Sequence, residues 1–276
     1  MNMRIVADSS ANLRTTDDNL IVSVPLTIRT DEKEFVDDAA LDIVEMTNYL
    51  ASYKGKSGSA CPSAGDWYNA FGDAEYVFVV TITSNLSGAY NSARIAKEDY
   101  ESDHPDRKVF LIDSLSTGGE MKLIAEKIME YANDGLSFDD ICNKITDYCK
   151  RTHLVFILKS LTNLANNGRV SPAVAKIAGL LNINIVGIAS SEGTLEQKEK
   201  ARGEKRAILA LRKIMDKMGY AGGKVRIDHC FNLEDATKIK ELILSVFPSA
   251  DIIIGENHGL CSFYAERGGV LVGFEG

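Results

Sequence analysis

The chain has 276 residues, 45% of them hydrophobic, enough for one large core or two modest ones, and two is the expectation at this length. A formal net charge of -8 and a pI near 5.2 argue against nucleic acid as a partner, because an acidic surface does not attract a phosphate backbone. The opening MNMRIVADSS holds too short an apolar run for a signal-peptide core, and no apolar run approaches the ~20 residues of a membrane helix. A cytoplasmic protein without stable membrane insertion is therefore expected.

Along the chain, short strand-like runs alternate with helical patterns, which predicts an α/β fold. RIVA (4–7), VFVVTI (77–82) and VFLI (109–112) are brief and continuously apolar, as buried parallel strands are. Helical periodicity covers roughly 40–53, 64–71, 89–100, 118–132 and 137–150. Each strand runs into a loop of the same kind: DSSAN, TSNLSG and DSLSTGG. In an open parallel sheet such loops converge beyond the carboxyl ends of the strands, where ligands bind. GKSGSACPS (55–63) is a fourth hydroxyl-rich segment, set between two helical patterns with no strand before it.

The second half differs. HLVFIL (153–158), INIVGIA (183–189), KVRIDHC (224–230), ADIIIGE (250–256) and GVLVGF (269–274) predict strands, with helices over 171–181, 198–218 and 233–247. The last two strands are too close for a helical crossover, so an antiparallel or edge pairing and a mixed sheet are expected. KRT near 150–152 marks a boundary. The predicted organisation is an α/β domain over 1–150 with a mainly parallel sheet flanked by helices, then an α/β domain over 151–276 with a mixed sheet.

Several chemistries are excluded. The five cysteines (Cys61, Cys142, Cys149, Cys230, Cys261) are odd in number with no CxxC, so neither a disulfide framework nor a zinc site is expected. Cys142 and Cys149, seven apart, share one helical face as reduced core residues. The histidines lack metal-ligand spacing. GKS (55–57) is not a phosphate loop: the motif needs a glycine where Leu50 stands, and a strand where a helical pattern stands. No GxGxxG or GxSxG occurs.

What remains is a set of binding candidates. Ser84, Ser87 and Gly88 sit between a strand and a helix. Ser87 reads as a helix N-cap, and a helix start with Gly88 offers backbone N–H groups to an anion. Arg169, in NNGRVS, is either an exposed turn arginine or a charge partner for that anion. His258, in ENHGLCS, is either an exposed loop histidine or a carboxylate donor. Asp8 and Asp113 follow strands directly and are expected to cap helices or order neighbouring serines, in place of acting as acids. KARGEKRA (200–207) reads as a basic helix face, solvated or used for docking. A small anionic ligand is expected; a nucleophile at Ser87 or Cys61, with His258 as base, is the enzymatic alternative.

In order along the chain, ADSSANL, VSVPLTI (22–28), SACPS (59–63), LSGAYNSA, FLIDSLSTGGE, LTNLANNGRVS (161–171), KARGEKRA and a late NHG resemble the motifs of the DegV family. The resemblance spans nearly the whole length. It implies a two-domain α/β protein that binds a long-chain fatty acid, with no other cofactor, and presents it to a separate fatty acid kinase subunit. It further implies that the carboxylate meets Ser59, Ser87 and His258, with Arg169 near the same end. Against the family pattern, Ser59 replaces a threonine, Ala60 and Cys61 replace Ser-Gln, and HGLCS replaces H-x-G-P-G. A monomer is expected. Burying a ~16-carbon tail would contribute about 10 kcal/mol gross at ~0.8 kcal/mol per methylene; IAGLLNI (177–183) is a candidate wall. A binder of another small carboxylate or phosphate is the third reading.

Overall fold

The computed structural model describes residues 2–173 and 183–276. Most of the helix expected over 171–181, and all but the last residue of IAGLLNI, lie outside those residues. The first half builds a four-stranded sheet from β1 (Met3–Asp8), β2 (Ile21–Val24), β6 (Tyr76–Thr81) and β7 (Lys108–Asp113). Its order is β2-β1-β6-β7 and every pairing is parallel, so the three strands predicted as parallel are neighbours in one sheet. Helices α2 (Ala64–Phe71), α3 (Ala89–Asp103), α4 (Gly119–Asn133) and α5 (Phe138–Cys149) flank it. They enclose one core that includes Trp67, Phe71, Phe78, Tyr100 and Ile124, all fully buried. The helix starts follow the local sequence: Ser63 forms a capping box with Asp66, and Ser137 accepts from the Asp140 amide.

A small antiparallel sheet, absent from the sequence reading, joins β3 (Thr27–Thr30), β4 (Glu34–Val36) and β5 (Ser57–Ala60) in the order β4-β3-β5. The segment read as a fourth loop is thus itself a strand. SGSA carries no large apolar residue, so period-two alternation gave no signal there. Pairing sets its direction: Ser59 lies opposite Ile28, which lies opposite Phe35. Directly paired residues share a face. Ile28 and Phe35 pack on Met46 of α1 (Ile43–Ser52) and on Phe263, so Ser59 faces the same way.

The second half forms a six-stranded mixed sheet in the order β10-β9-β8-β13-β11-β12, from β8 (Thr152–Leu158), β9 (Ile183–Ala189), β10 (Leu195–Arg202), β11 (Val225–His229), β12 (Ile252–Glu256) and β13 (Val270–Glu275). The mixed character is as predicted, but the expected pairing is not. β12 and β13 are not partners: β11 lies between them, parallel to β12 and antiparallel to β13. The connection has room for a short helix, α9 (Gly259–Ala265), which carries the chain past β11. The helix expected from 198 begins at Glu204 (α7, Glu204–Lys217). Residues Leu195–Arg202 are an edge strand whose charged side chains face solvent, as suits an unpaired edge. KARGEKRA is therefore half strand and half helix, split at Gly203 with φ of 83°.

β8 divides the cores of this half. Val155 and Ile157 face α7 and α8 (Leu233–Leu244), while Leu154, Phe156 and Leu158 face the opposite way, toward Leu164 of α6 (Thr162–Asn166) and Cys261 and Ala265 of α9. Among the described residues no helix is long and apolar enough to cross a membrane.

Glu120, in the first turn of α4, is nearly fully buried and accepts from Thr152 Oγ1 at 2.9 Å at the start of β8. Burial pushes its carboxyl up to about 7 from the ordinary 4.5. A folded-state value above the unfolded one means that stability falls as pH rises through that window. We expect Glu120 to cost roughly 2–3 kcal/mol of stability between pH 5 and pH 8. Glu120→Gln, which keeps the acceptor, should remove that component when urea unfolding of the two proteins is compared at both pH values.

Candidate functional site

The strand-end loops are held by their own carboxylates. Asp8, fully buried, accepts from the Ser10 amide at 3.1 Å and the Ile82 amide at 2.7 Å, tying the end of β1 to the end of β6. Burial raises its carboxyl to about 6. Asp113 accepts from the amides of Ser84 and Leu115, each at 3.1 Å. Both aspartates therefore order the neighbouring serine loops, as read from sequence. The far side of the TSNLSG loop is closed by the turn after β9, where Asn85 Nδ2 donates to the Glu192 carbonyl. Gly193 there has φ of 70°, and a Cβ on it would stand 2.1 Å from Thr83 Oγ1, so only glycine allows this approach.

Beneath these loops lies a predominantly apolar cavity. One wall is the face of the six-stranded sheet turned away from α7 and α8: Leu154, Phe156 and Leu158 of β8, with Leu271 of β13 and Leu195 of β10. Leu26, Ile82 and Leu86 come from the first half, and Leu260, Cys261 and Ala265 from α9. Against this apolar lining stand a few polar groups: Ser59, Ser87, Thr117, Tyr264 and Arg169.

Ser59 and Tyr264 lie within hydrogen-bond distance of one another, Oγ to Oη 2.8 Å. Tyr264 carried no motif signal. Its only clue in the sequence is its place one turn of helix after NHG. Ser87 sits one residue before the cap position of α3, which Gly88 occupies, and its Oγ accepts from the Ala89 amide at 3.2 Å. Gly88 has ordinary helical dihedrals. Its lack of a side chain makes room for Cys61, whose Sγ would be 3.1 Å from a Cβ there. Arg169 reaches the same loop: its Nε donates to the Leu86 carbonyl at 3.2 Å and its guanidinium also donates to the Asn167 carbonyl. So the structure brings Ser59, Ser87 and Arg169 to one cavity. Ser84 is exposed, its amide engaged by Asp113.

His258 is placed elsewhere. It begins α9 but is not among the cavity-lining residues. Its amide donates to Asn12 Oδ1 at 2.8 Å, within a polar cluster in which Asn12 Nδ2 reaches Asp228 and Asn257, and Lys122 pairs with Asp228 at 2.8 Å. Burial, and then the charges of Arg14 and Lys122, push the imidazole down to about 3. At neutral pH it is an uncharged ring. No hydrogen bond joins it to Ser87 or Cys61, and its buried Nδ1 has no hydrogen-bond partner among the described residues. The nucleophile–base pair of the enzymatic reading is thus not assembled. All five cysteines are free, and among the described residues no cluster of three or more His, Cys, Asp or Glu could hold a metal ion.

α9 itself is fixed by Asp37, which is 1% exposed and accepts from the Gly259 and Leu260 amides at 2.6 and 2.8 Å. Burial raises the Asp37 carboxyl above its ordinary range. Gly259 is required for the approach, since a Cβ there would meet Asp37 Oδ1 at 2.7 Å.

An apolar cavity lined by hydroxyls from both halves of the chain defines a class of small-molecule binding proteins. The family model described as "Uncharacterised protein, DegV family" matches residues 2–275, and the chain belongs to the DegV family. A DegV domain-containing protein of Streptococcus pneumoniae is 46% identical over 279 residues, covering 100% of this chain and 99% of the relative. Among solved structures, a DegV family protein from Eubacterium eligens loaded with heptadecanoic acid superposes with a TM-score of 0.97 at 45% identity, over 99% of both chains. The Fatty Acid Kinase (Fak) B3 protein of Streptococcus pneumoniae, loaded with linoleic acid, also gives 0.97 at 45% identity, over 100% of this chain and 99% of that one.

The clamp on α9 predicts its own cost. Asp37→Ala leaves two buried amides without an acceptor and should destabilise the protein by about 2–4 kcal/mol in urea unfolding. A surface substitution such as Asp38→Ala should cost far less.

Proposed function

We propose that this protein binds a long-chain fatty acid and presents it to a separate kinase subunit that phosphorylates the carboxylate. The observation that carries the reading is the Ser59–Tyr264 hydroxyl pair, with Ser87 in the same lining, at a predominantly apolar cavity. Two relatives at 45% identity, described as loaded with heptadecanoic and linoleic acid, support it, and the second of these, a fatty acid kinase B protein, supports the kinase step.

On this reading the residues of 1–150 bring the hydroxyl loops, and those of 151–276 bring most of the acyl wall. The tail lies along the β8 face, where each methylene withdrawn from water contributes about 0.8 kcal/mol. The carboxylate cannot be buried bare and takes its hydrogen bonds from Ser59, Ser87 and Tyr264, with the start of α3 close by. Arg169, half-buried and anchored on Leu86 O, lies at the same end and is free to direct its remaining donors to the carboxylate or to the phosphoryl group it acquires. Tyr264 takes the place that the family resemblance gives to His258. His258 instead begins α9, and Gly88 admits Cys61 to the loop. The protein is a carrier in this scheme, and the bond-making groups belong to the kinase.

Organic extraction of the purified protein followed by mass spectrometry should yield long-chain fatty acid. An empty extract, together with no uptake by delipidated protein, would sink the reading. Ser87→Ala and Tyr264→Phe should each weaken fatty acid binding by about 1–3 kcal/mol, the cost of leaving a charged acceptor short of a donor. His258→Ala should change it less than threefold. Equal losses for His258→Ala and Tyr264→Phe would return the histidine to the clamp.

A further inference from the structure

We infer that Gly187 and Phe156 together set the length of acyl chain the cavity accepts; this rests on the fatty acid reading above. Phe156 is at the middle of β8, 2% exposed, between Leu158 and Leu154 on the cavity wall. Across the sheet it pairs with Gly187 of β9 on one side and Leu271 of β13 on the other. Paired residues on adjacent strands point to the same face, so in this row β9 contributes no side chain. The phenyl ring fills that gap: a Cβ on Gly187 would stand 2.5 Å from its Cζ and 2.7 Å from its Cε2. Gly187 is not among the positive-φ residues, so its lack of a side chain answers to space and not to backbone conformation.

The geometry has a direction. Leu158 is at the end of β8 that leads through Leu164 to Arg169, the polar end of the cavity. Leu154 is at the other end, opposite Gly273, whose own Cβ position is blocked by the backbone of Gly119 and Glu120 at the start of α4. A tail anchored at the hydroxyls therefore passes Leu158 first, then Phe156, and ends against Leu154. The ring lies back over Gly187 and keeps the lane open. A side chain at 187 would push it forward and close the lane at that depth. Deleting the ring would widen the lane there.

The test is a series of saturated fatty acids from about 12 to about 20 carbons, titrated into delipidated full-length protein. Wild type should gain roughly fourfold in affinity per methylene up to an optimum length. Gly187→Ala should move that optimum at least two carbons shorter while leaving affinity for the shortest acids within threefold. Adding Phe156→Ala to it should restore the original optimum or a longer one. The methyl at 187 also meets the Glu196 carbonyl at 2.5 Å. If Gly187→Ala does not fold, Phe156→Ala and Phe156→Leu decide, and both should shift the optimum at least two carbons longer. An optimum unchanged in every folded variant overturns the inference and leaves the fatty acid reading standing. Wild type that binds no acid in the series defeats that reading first.

Discussion

The site depends on one buried carboxylate. Asp37 accepts from the first two amides of α9, and α9 is where the hydrophobic cores meet. Leu260 packs into the core of the parallel sheet, Phe263 into the small antiparallel sheet, and Cys261 and Ala265 onto the cavity face of the mixed sheet. A seven-residue helix has little intrinsic stability, so its position comes from tertiary contacts and its capping. Asp37 supplies an acceptor at the positive end of the helix dipole, where a carboxylate is best placed. Without it, Tyr264 has no fixed position relative to Ser59, and the polar end of the cavity is no longer assembled.

The second constraint is the contrast between lining and closure. Leu154, Phe156, Leu158 and Leu271 present only carbon to the cavity, while every polar lining group except Arg169 carries a hydroxyl or thiol. Period-two alternation in β8 creates the wall, since Val155 and Ile157 are committed to the opposite core. The hydroxyl loops come from the carboxyl ends of β1, β6 and β7, as in other open parallel sheets. Asp8 and Asp113 lock these loops through backbone amides, and Asp8 also accepts from the Ser10 hydroxyl.

Much of this was legible beforehand. The parallel strands and the helices of the first half stand within a few residues of their predicted spans, because long apolar periodicity survives tertiary context. Ser59, Ser87 and Arg169 were named from motifs, and all three line one cavity. Four things were not legible. β5 has no apolar alternation, and β10 is charged because it is an edge. The order of β11, β12 and β13 depends on which strand edge remains open, which no local pattern records. Tyr264 was invisible because its partner is 205 residues away in sequence. His258 shows the converse: it stands in a motif, yet its surroundings are set by Asn12 and Lys122 from the other half of the chain.

Hydroxyls joined by a half-buried Arg169 that keeps backbone partners of its own, with no fully buried cation among the described lining residues, fit the proposed carrier role. A lysine or arginine buried at the polar end would lose its partner whenever the fatty acid left, and an unpaired buried charge costs several kcal/mol. Ser59 and Tyr264 can satisfy each other, because either oxygen can donate across their 2.8 Å separation. Turning both hydrogens toward a carboxylate exchanges one neutral hydrogen bond for two charge-assisted ones. The loaded and unloaded states then differ little in polar satisfaction, and affinity comes from the tail. On the proposed reading, length selection follows from the wall and orientation from the hydroxyls, and the carboxylate can be chemically altered without dismantling the grip on the chain.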